Sequence, residues 1–268
     1  MNGPVGLIRT MMYTTLCLLV VSGSHASAQK ANAKEQEKRP AVARWPIGEQ
    51  TQEVLSTSDG GQIEYLLSVP PAVDSNTSAN PPLMLFLHGR GESNGPLPLV
   101  AKWGPPKIVA QGQAFPYLLV SPQCPREDFW SSPTQQKRLF ELLDHIIKSH
   151  KLDQSRIYLT GLSMGGYGSW AMAAAQPKRF AAVVPICGGG DPERASELVD
   201  IPIWVFHGDQ DGAVPIRKSE EMVQAIQSAG GKKVRFTTLE HYGHNTWTPA
   251  YATPELYRWM NQQSLKSK

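Results

Sequence analysis

Cysteine is scarce in this chain, with three residues in 268. That is too few for the disulfide framework that holds small secreted scaffolds together. Net charge is scarce as well: +3, from 26 basic and 23 acidic residues scattered along the sequence. No basic face of the kind that binds nucleic acid can be read from it. The apolar run Leu16 to Val21 falls far short of the roughly 20 residues that a membrane-spanning helix requires. A His-Glu-x-x-His pattern is missing, and His241 and His244 have neither a third ligand nor a second spaced pair beside them. The sequence therefore calls for no metal and no cofactor. Nor does any internal repeat or second domain emerge.

What is present is an ordinary globular composition, 41% hydrophobic and 18% charged, enough for a sizeable core. Met1 to Ala28 carries an early arginine, Arg9, the short apolar run and a small-residue site at Ala26-Ser27-Ala28. This pattern predicts a signal peptide over 1–28, and hence a secreted or periplasmic protein with no membrane attachment once it is removed. Residues 29–44, rich in Lys, Glu, Gln and Ala, have little to bury and are expected to form a disordered linker. The remaining residues, 45–268, are expected to form one domain.

Along that domain, Gln52 to Thr57 and Gln62 to Val69 predict two short strands around Asp59-Gly60-Gly61. Asp74 to Pro82 is a polar loop. Leu83-Met84-Leu85-Phe86-Leu87 is a continuous apolar run, as expected of a strand buried on both faces, and it ends in His88-Gly89-Arg90-Gly91-Glu92. A Gly/Pro-rich loop follows from Ser93 to Pro106. Further strands are predicted at Tyr117 to Val120, Ala181 to Ile186, Ile203 to Phe206 and Val234 to Leu239. Helices are predicted at Pro133 to Ser149, capped by Ser132 with Gln135 completing a capping box, at Ile216 to Ala229, and at Pro254 to Gln263. Strands alternating with helices give a mostly parallel sheet covered on both faces. In such sheets functional groups gather at the carboxyl ends of the strands, which is where every Gly/His/Asp cluster here lies.

One stretch organises the rest. Arg156-Ile157-Tyr158-Leu159-Thr160 is a strand-like run, and an alanine-rich helical run occupies Ser169 to Gln176. Between them sits Gly161-Leu162-Ser163-Met164-Gly165, a Gly-x-Ser-x-Gly turn. Its tightness demands small flanking residues and lifts the Ser163 hydroxyl clear of the sheet, so Ser163 is the candidate nucleophile. A serine hydroxyl is a poor nucleophile near neutrality without a base to take its proton.

Together these residues resemble the α/β-hydrolase superfamily from about Gln52 onward, in the chain order Ser, Asp, His. The resemblance implies an open, mostly parallel sheet with helices on both faces. His207-Gly208-Asp209-Gln210-Asp211-Gly212-Ala213-Val214-Pro215 matches the family's acid-bearing pattern and implies Asp211 as the acid, with Asp209 as its rival. Gly243-His244-Asn245 matches the loop of the catalytic histidine, with His241 competing. The oxyanion hole is implied to be the backbone amides of Met164 and Arg90, which would leave the Arg90 side chain free to face substrate. His88 and His207 are expected to brace backbone turns. The segments His-Gly-x-Gly-Glu, Gly-Leu-Ser-Met-Gly-Gly and His-Asn-x-Trp are similar to secreted esterases related to polyhydroxybutyrate depolymerases and feruloyl esterases, and to the phospholipase/carboxylesterase-like proteins. They imply a serine carboxylesterase acting on a small-molecule or polymeric ester. The competing expectation is a serine peptidase of prolyl-oligopeptidase type.

Three finer expectations follow. Gly190 to Ile201 is too short for a helical lid, so the cleft is open. Trp130 and Trp247 are candidates to wall it, each with a core role as the alternative. In the fold that the resemblance implies, the strands leading to Cys124 and Cys187 lie three steps apart, about 14 Å. That exceeds the roughly 7 Å a disulfide tolerates between Cα atoms, so both thiols are expected to stay unpaired.

Overall fold

A computed structural model describes residues 49–70 and 80–265; the expected signal peptide, linker and Asp74–Pro82 loop lie wholly or mostly outside these residues. The strands are β1 (Thr51–Ser56), β2 (Gln62–Ser68), β3 (Leu83–Leu87), β4 (Leu118–Pro122), β5 (Ile157–Leu162), β6 (Ala182–Ile186), β7 (Ile203–Gly208) and β8 (Val234–Leu239). They form one sheet in the order β1-β2-β4-β3-β5-β6-β7-β8. The β1 and β2 strands pair antiparallel with each other, β2 pairs antiparallel with β4, and the rest of the sheet is parallel.

The helices are α1 (Gly104–Ala110), α2 (Pro133–Ser149), α3 (Met164–Ala175), α4 (Arg217–Ser228), α5 (Trp247–Tyr251) and α6 (Pro254–Asn261). They cover both faces of the sheet. Side chains alternate along β3: Leu83, Leu85 and Leu87 enter the core under α2, α3 and α4. Met84 and Phe86 enter the opposite core under α1, α5 and α6. A strand buried on both sides has no polar face to show, which is why its five residues read as an unbroken apolar run.

Some elements differ from expectation. The helix α3 begins at Met164, directly after Ser163, rather than near Ser169, although glycines crowd its first turn. The weak helix propensity of glycine is overridden because only glycine fits: a Cβ on Gly165 would lie 1.9 Å from the Leu87 carbonyl oxygen, and one on Gly166 2.6 Å from that of Ile186. The Gly/Pro-rich loop holds two 3₁₀ turns and the start of α1, whose prolines occupy its first turn. At the start of α2 the Ser132 hydroxyl accepts from the Gln135 amide. The Gln135 side chain donates to Asp128 instead of turning back to Ser132, so only half of the capping box forms.

The β4 and β6 strands are separated by β3 and β5. Cys124 and Cys187, which follow them, are both buried and unpaired. The segment Gly190 to Ile201 carries only a seven-residue 3₁₀ helix, Pro192–Leu198.

Candidate active site

Ser163 sits between the end of β5 and the first residue of α3 with φ 53° and ψ −116°. This backbone is strained for a residue with a side chain, and costs about 1–3 kcal/mol. The Ser163 amide donates to the Ile186 carbonyl at 2.9 Å, which ties the turn to β6. Gly161 lets the Gly165 carbonyl approach to 2.4 Å of where a Cβ would stand. These close approaches hold the Ser163 hydroxyl up at the carboxyl edge of the sheet.

His244 arrives from the loop after β8. Its Nε2 lies 2.9 Å from Ser163 Oγ and its Nδ1 2.7 Å from Asp211 Oδ2. The loop is fixed from below: the Thr246 hydroxyl, fully buried, donates to the Gly243 carbonyl. Gly208, at the end of β7, leaves room for the Tyr242 carbonyl, which would sit 2.2 Å from a Cβ there. Asp211, after β7, accepts from the amides of Ala213 and Val214, each at 2.9 Å, through its other oxygen. Burial pushes its carboxyl up, but the hydrogen bonds from His244, Val214 and Ala213 outweigh burial and hold it below the usual carboxylate range. The structure thus brings Ser163, His244 and Asp211 into one hydrogen-bonded chain. It does not bring in their rivals. Asp209 is exposed, and His241, also exposed and with φ 62°, reaches only the Gln210 side chain at 3.3 Å.

The Met164 amide opens α3 and the Arg90 amide opens a 3₁₀ turn. Both positions lack an acceptor in a preceding turn. The side chain of Arg90, however, does not face a ligand as expected. It donates to the carbonyls of Arg126 and Asp128 at 2.9 and 2.7 Å and stacks 3.9 Å from the centroid of the Phe129 ring. Two backbone carbonyls and an aromatic face together hold the guanidinium in one place.

Both turn histidines brace backbone. His88 meets the Gly89 carbonyl through Nδ1 at 2.6 Å and accepts the Cys124 amide at Nε2. Burial lowers its pKa to about 4, which keeps it neutral and suits one donating and one accepting nitrogen. His207 meets Val214 O and Ser219 Oγ. The two tryptophans part ways. Trp130 is fully buried in the core, edge-on to His88, and its indole N–H donates to the His88 carbonyl at 3.0 Å. The expectation that it walls the cleft is corrected: a ring with no exposed surface, packed behind the His88–Gly89 turn, has no face left for a ligand. Trp247 is half-buried and stands edge-on to the His244 ring, centroids 5.3 Å apart.

Sequence reasoning missed two residues. Glu92 is buried and accepts from the amides of Gly89 and Glu92 and from the Trp103 indole, binding the turn from within. Burial raises its pKa. Its place at the end of His-Gly-x-Gly-Glu was the available signal. Cys187, with φ 41°, sits behind the site. Its thiol, Asp211 and His244 present ligand atoms within 4.8 Å of one another. Yet both His244 nitrogens are already engaged, by Ser163 Oγ and Asp211 Oδ2.

Comparison with known proteins agrees with this architecture. The family described as Phospholipase/Carboxylesterase matches residues 115–252, half of the chain. Poly(3-hydroxyalkanoate) depolymerase C of Paucimonas lemoignei is 30% identical over 142 residues, covering 48% of this chain and 32% of that protein. Probable feruloyl esterase C of Aspergillus flavus is 36% identical over 163 residues, covering 57% and 56%. The chain therefore spans about a third to just over half of the length of these curated relatives. The crystal structure of a thermostable esterase superposes with a TM-score of 0.71 at 33% identity, over 82% of this chain and 64% of that one.

Proposed function

The chain belongs to the phospholipase/carboxylesterase family of α/β-hydrolases, and on that premise we propose that it hydrolyses carboxylic esters through an acyl-enzyme on Ser163. The observation that carries this reading is the continuous chain from Ser163 Oγ through both His244 nitrogens to Asp211, set on a strained turn. His244 Nε2 takes the hydroxyl proton as Ser163 Oγ attacks the ester carbonyl, then hands it to the departing alcohol. Asp211 keeps the Nδ1 proton in place and stabilises the imidazolium. The amides of Met164 and Arg90 receive the charge that develops on the carbonyl oxygen. A water molecule, activated by the same histidine, then releases the acid.

The names of the relatives support a polymeric or polysaccharide-linked ester as substrate, and the short Gly190 to Ile201 segment leaves the cleft open to a long chain. The reading further places the enzyme outside the cytoplasm, released from a signal peptide over 1–28. Among the described residues no helix is long and apolar enough to cross a membrane. The test pairs 4-nitrophenyl acetate with a peptide anilide and adds a fluorophosphonate label. Rapid ester hydrolysis, little amidase activity and a label on Ser163 are expected. A preference for the anilide would instead favour a peptidase, and an unlabelled protein would remove the nucleophile.

The pH profile supplies a second test. The Asp211 carboxyl is held below the usual carboxylate range, so it stays ionised as the medium is mildly acidified. A protonated imidazole, in contrast, cannot accept the serine proton. We expect kcat/KM to fall on the acid side with a single-proton slope. A two-proton slope, or a flat profile through mildly acidic pH, would count against this division of roles.

A further inference from the structure

Beside the triad lies a concave site whose lining does not include the triad residues. A cavity of about 580 Å³ opens between α1, the stretch from Gln113 to Tyr117, and the α5–α6 corner. That size is typical of small-molecule sites. Six of the residues that line it are aromatic: Trp103, Phe115, Tyr117, Trp247, Tyr251 and Tyr257. Ser163, Asp211 and His244 are not among its walls. Trp247 joins the cavity to the active site: it faces Trp103 with ring centroids 6.0 Å apart and stands edge-on to the His244 ring.

The charge of this cavity is one-sided. Among the described residues Lys107 is the one charged side chain on its wall, and no aspartate or glutamate lines it. The Lys107 ammonium stands 5.0 Å from the Trp103 ring centroid and makes no ion pair among the described residues. Lys102 stands 5.3 Å from the same ring but faces the buried Glu92 carboxyl, which bonds the Trp103 indole from behind, so Lys107 is the cation left to a ligand. At the far end the Tyr117 hydroxyl donates to Asn261 Oδ1 at 2.9 Å, which leaves the Asn261 amide nitrogen as a donor. Aromatic walls favour a flat ring, which stacks edge-to-face or offset against them. An unpaired ammonium beside those walls favours an anion and repels a cation. An aliphatic acid would satisfy the charge without the walls, and an aromatic alcohol the walls without the charge.

We propose that this cavity is a second binding site, distinct from the cleft at Ser163, for an aromatic monocarboxylate whose carboxylate pairs with Lys107 and whose ring lies among Trp103, Trp247 and Tyr257. The site does not depend on the proposed hydrolysis. Where the ester cleaved is that of an aromatic acid, however, the released product belongs to the ligand class the site accepts, and a ring seated against Trp247 would press on the side chain that abuts His244.

The test is titration calorimetry with trans-cinnamate, cinnamyl alcohol and acetate. It uses the Ser163→Ala protein, so that binding is read without turnover. Saturable one-to-one binding of cinnamate is expected, with the alcohol and acetate each at least tenfold weaker. Lys107→Met should weaken cinnamate about tenfold or more and leave the alcohol unchanged, since a charge-assisted hydrogen bond is lost. Lys107→Arg should restore most of the affinity. Equal affinity for cinnamate and the alcohol, or a Lys107→Met protein with unaltered melting and unaltered cinnamate affinity, would overturn the proposal. So would the absence of saturable cinnamate binding.

Discussion

Alanine at Ser163 is expected to reduce kcat for 4-nitrophenyl acetate by a factor on the order of 10⁴ or more, and alanine at His244 by a similar factor. The reason lies in the two short contacts, 2.9 Å to Ser163 and 2.7 Å to Asp211, which make His244 the single bridge between nucleophile and acid. Removing the hydroxyl deletes the attacking atom, and removing the imidazole leaves that atom with its proton. Each loss disables the same step, so the double variant should be scarcely worse than either single one. Losses that multiply would mean that the two residues act in separate steps. His241→Ala serves as the control. Its ring is exposed and meets only the Gln210 side chain, so near-normal turnover is expected. A His241→Ala enzyme as impaired as His244→Ala would reverse the assignment of the base. Asp211→Asn should also be severely impaired, because an amide can present a donor where the Nδ1 proton requires an acceptor.

The second large effect is on stability. Trp130→Ala should cost about 3–5 kcal/mol, the range for removing a large aromatic from a core. The ring is fully buried against His88, and its Cβ lies 2.4 Å from where a side chain on Gly168 would begin. Its indole N–H also satisfies the His88 carbonyl, immediately before the turn that carries the Arg90 amide. Trp130→Phe keeps most of the ring but not that donor, and should cost on the order of 1 kcal/mol or more. Trp247→Ala is expected to behave in the opposite way. Its ring is half-buried beside His244, so KM and kcat should shift with little change in urea midpoint. Urea unfolding of the three variants, together with their ester kinetics, separates the two tryptophans. A Trp130→Ala protein that unfolds like the parent and changes only in KM would place that ring back on the cleft wall.

The strand–turn–helix around Ser163 was legible in the sequence because everything it needs is contiguous. A tight turn demands glycine within two residues of the serine, and the strand and helix that flank it announce themselves by local pattern. The same holds for the buried strand Leu83 to Leu87 and for the amphipathic helix Pro133 to Ser149. Matching motifs pointed to Asp211 and His244, but nothing in the residues alone separated them from Asp209 and His241, each only two or three positions away. That choice belongs to the tertiary structure. It depends on β7 and β8 lying beside each other in the sheet, with Gly208 admitting the Tyr242 carbonyl, so that one aspartate turns inward and the other toward water. The tryptophans divide for the same reason. A large aromatic after a strand end has one composition whether it packs behind the His88–Gly89 turn, as Trp130 does, or beside His244, as Trp247 does. Local sequence dictates the bends of the chain over a few residues; which side chain faces the site is decided by contacts between segments 30 to 80 positions apart, such as His244 with Asp211 and Ser163, and those contacts exist only once the sheet has closed around its helices.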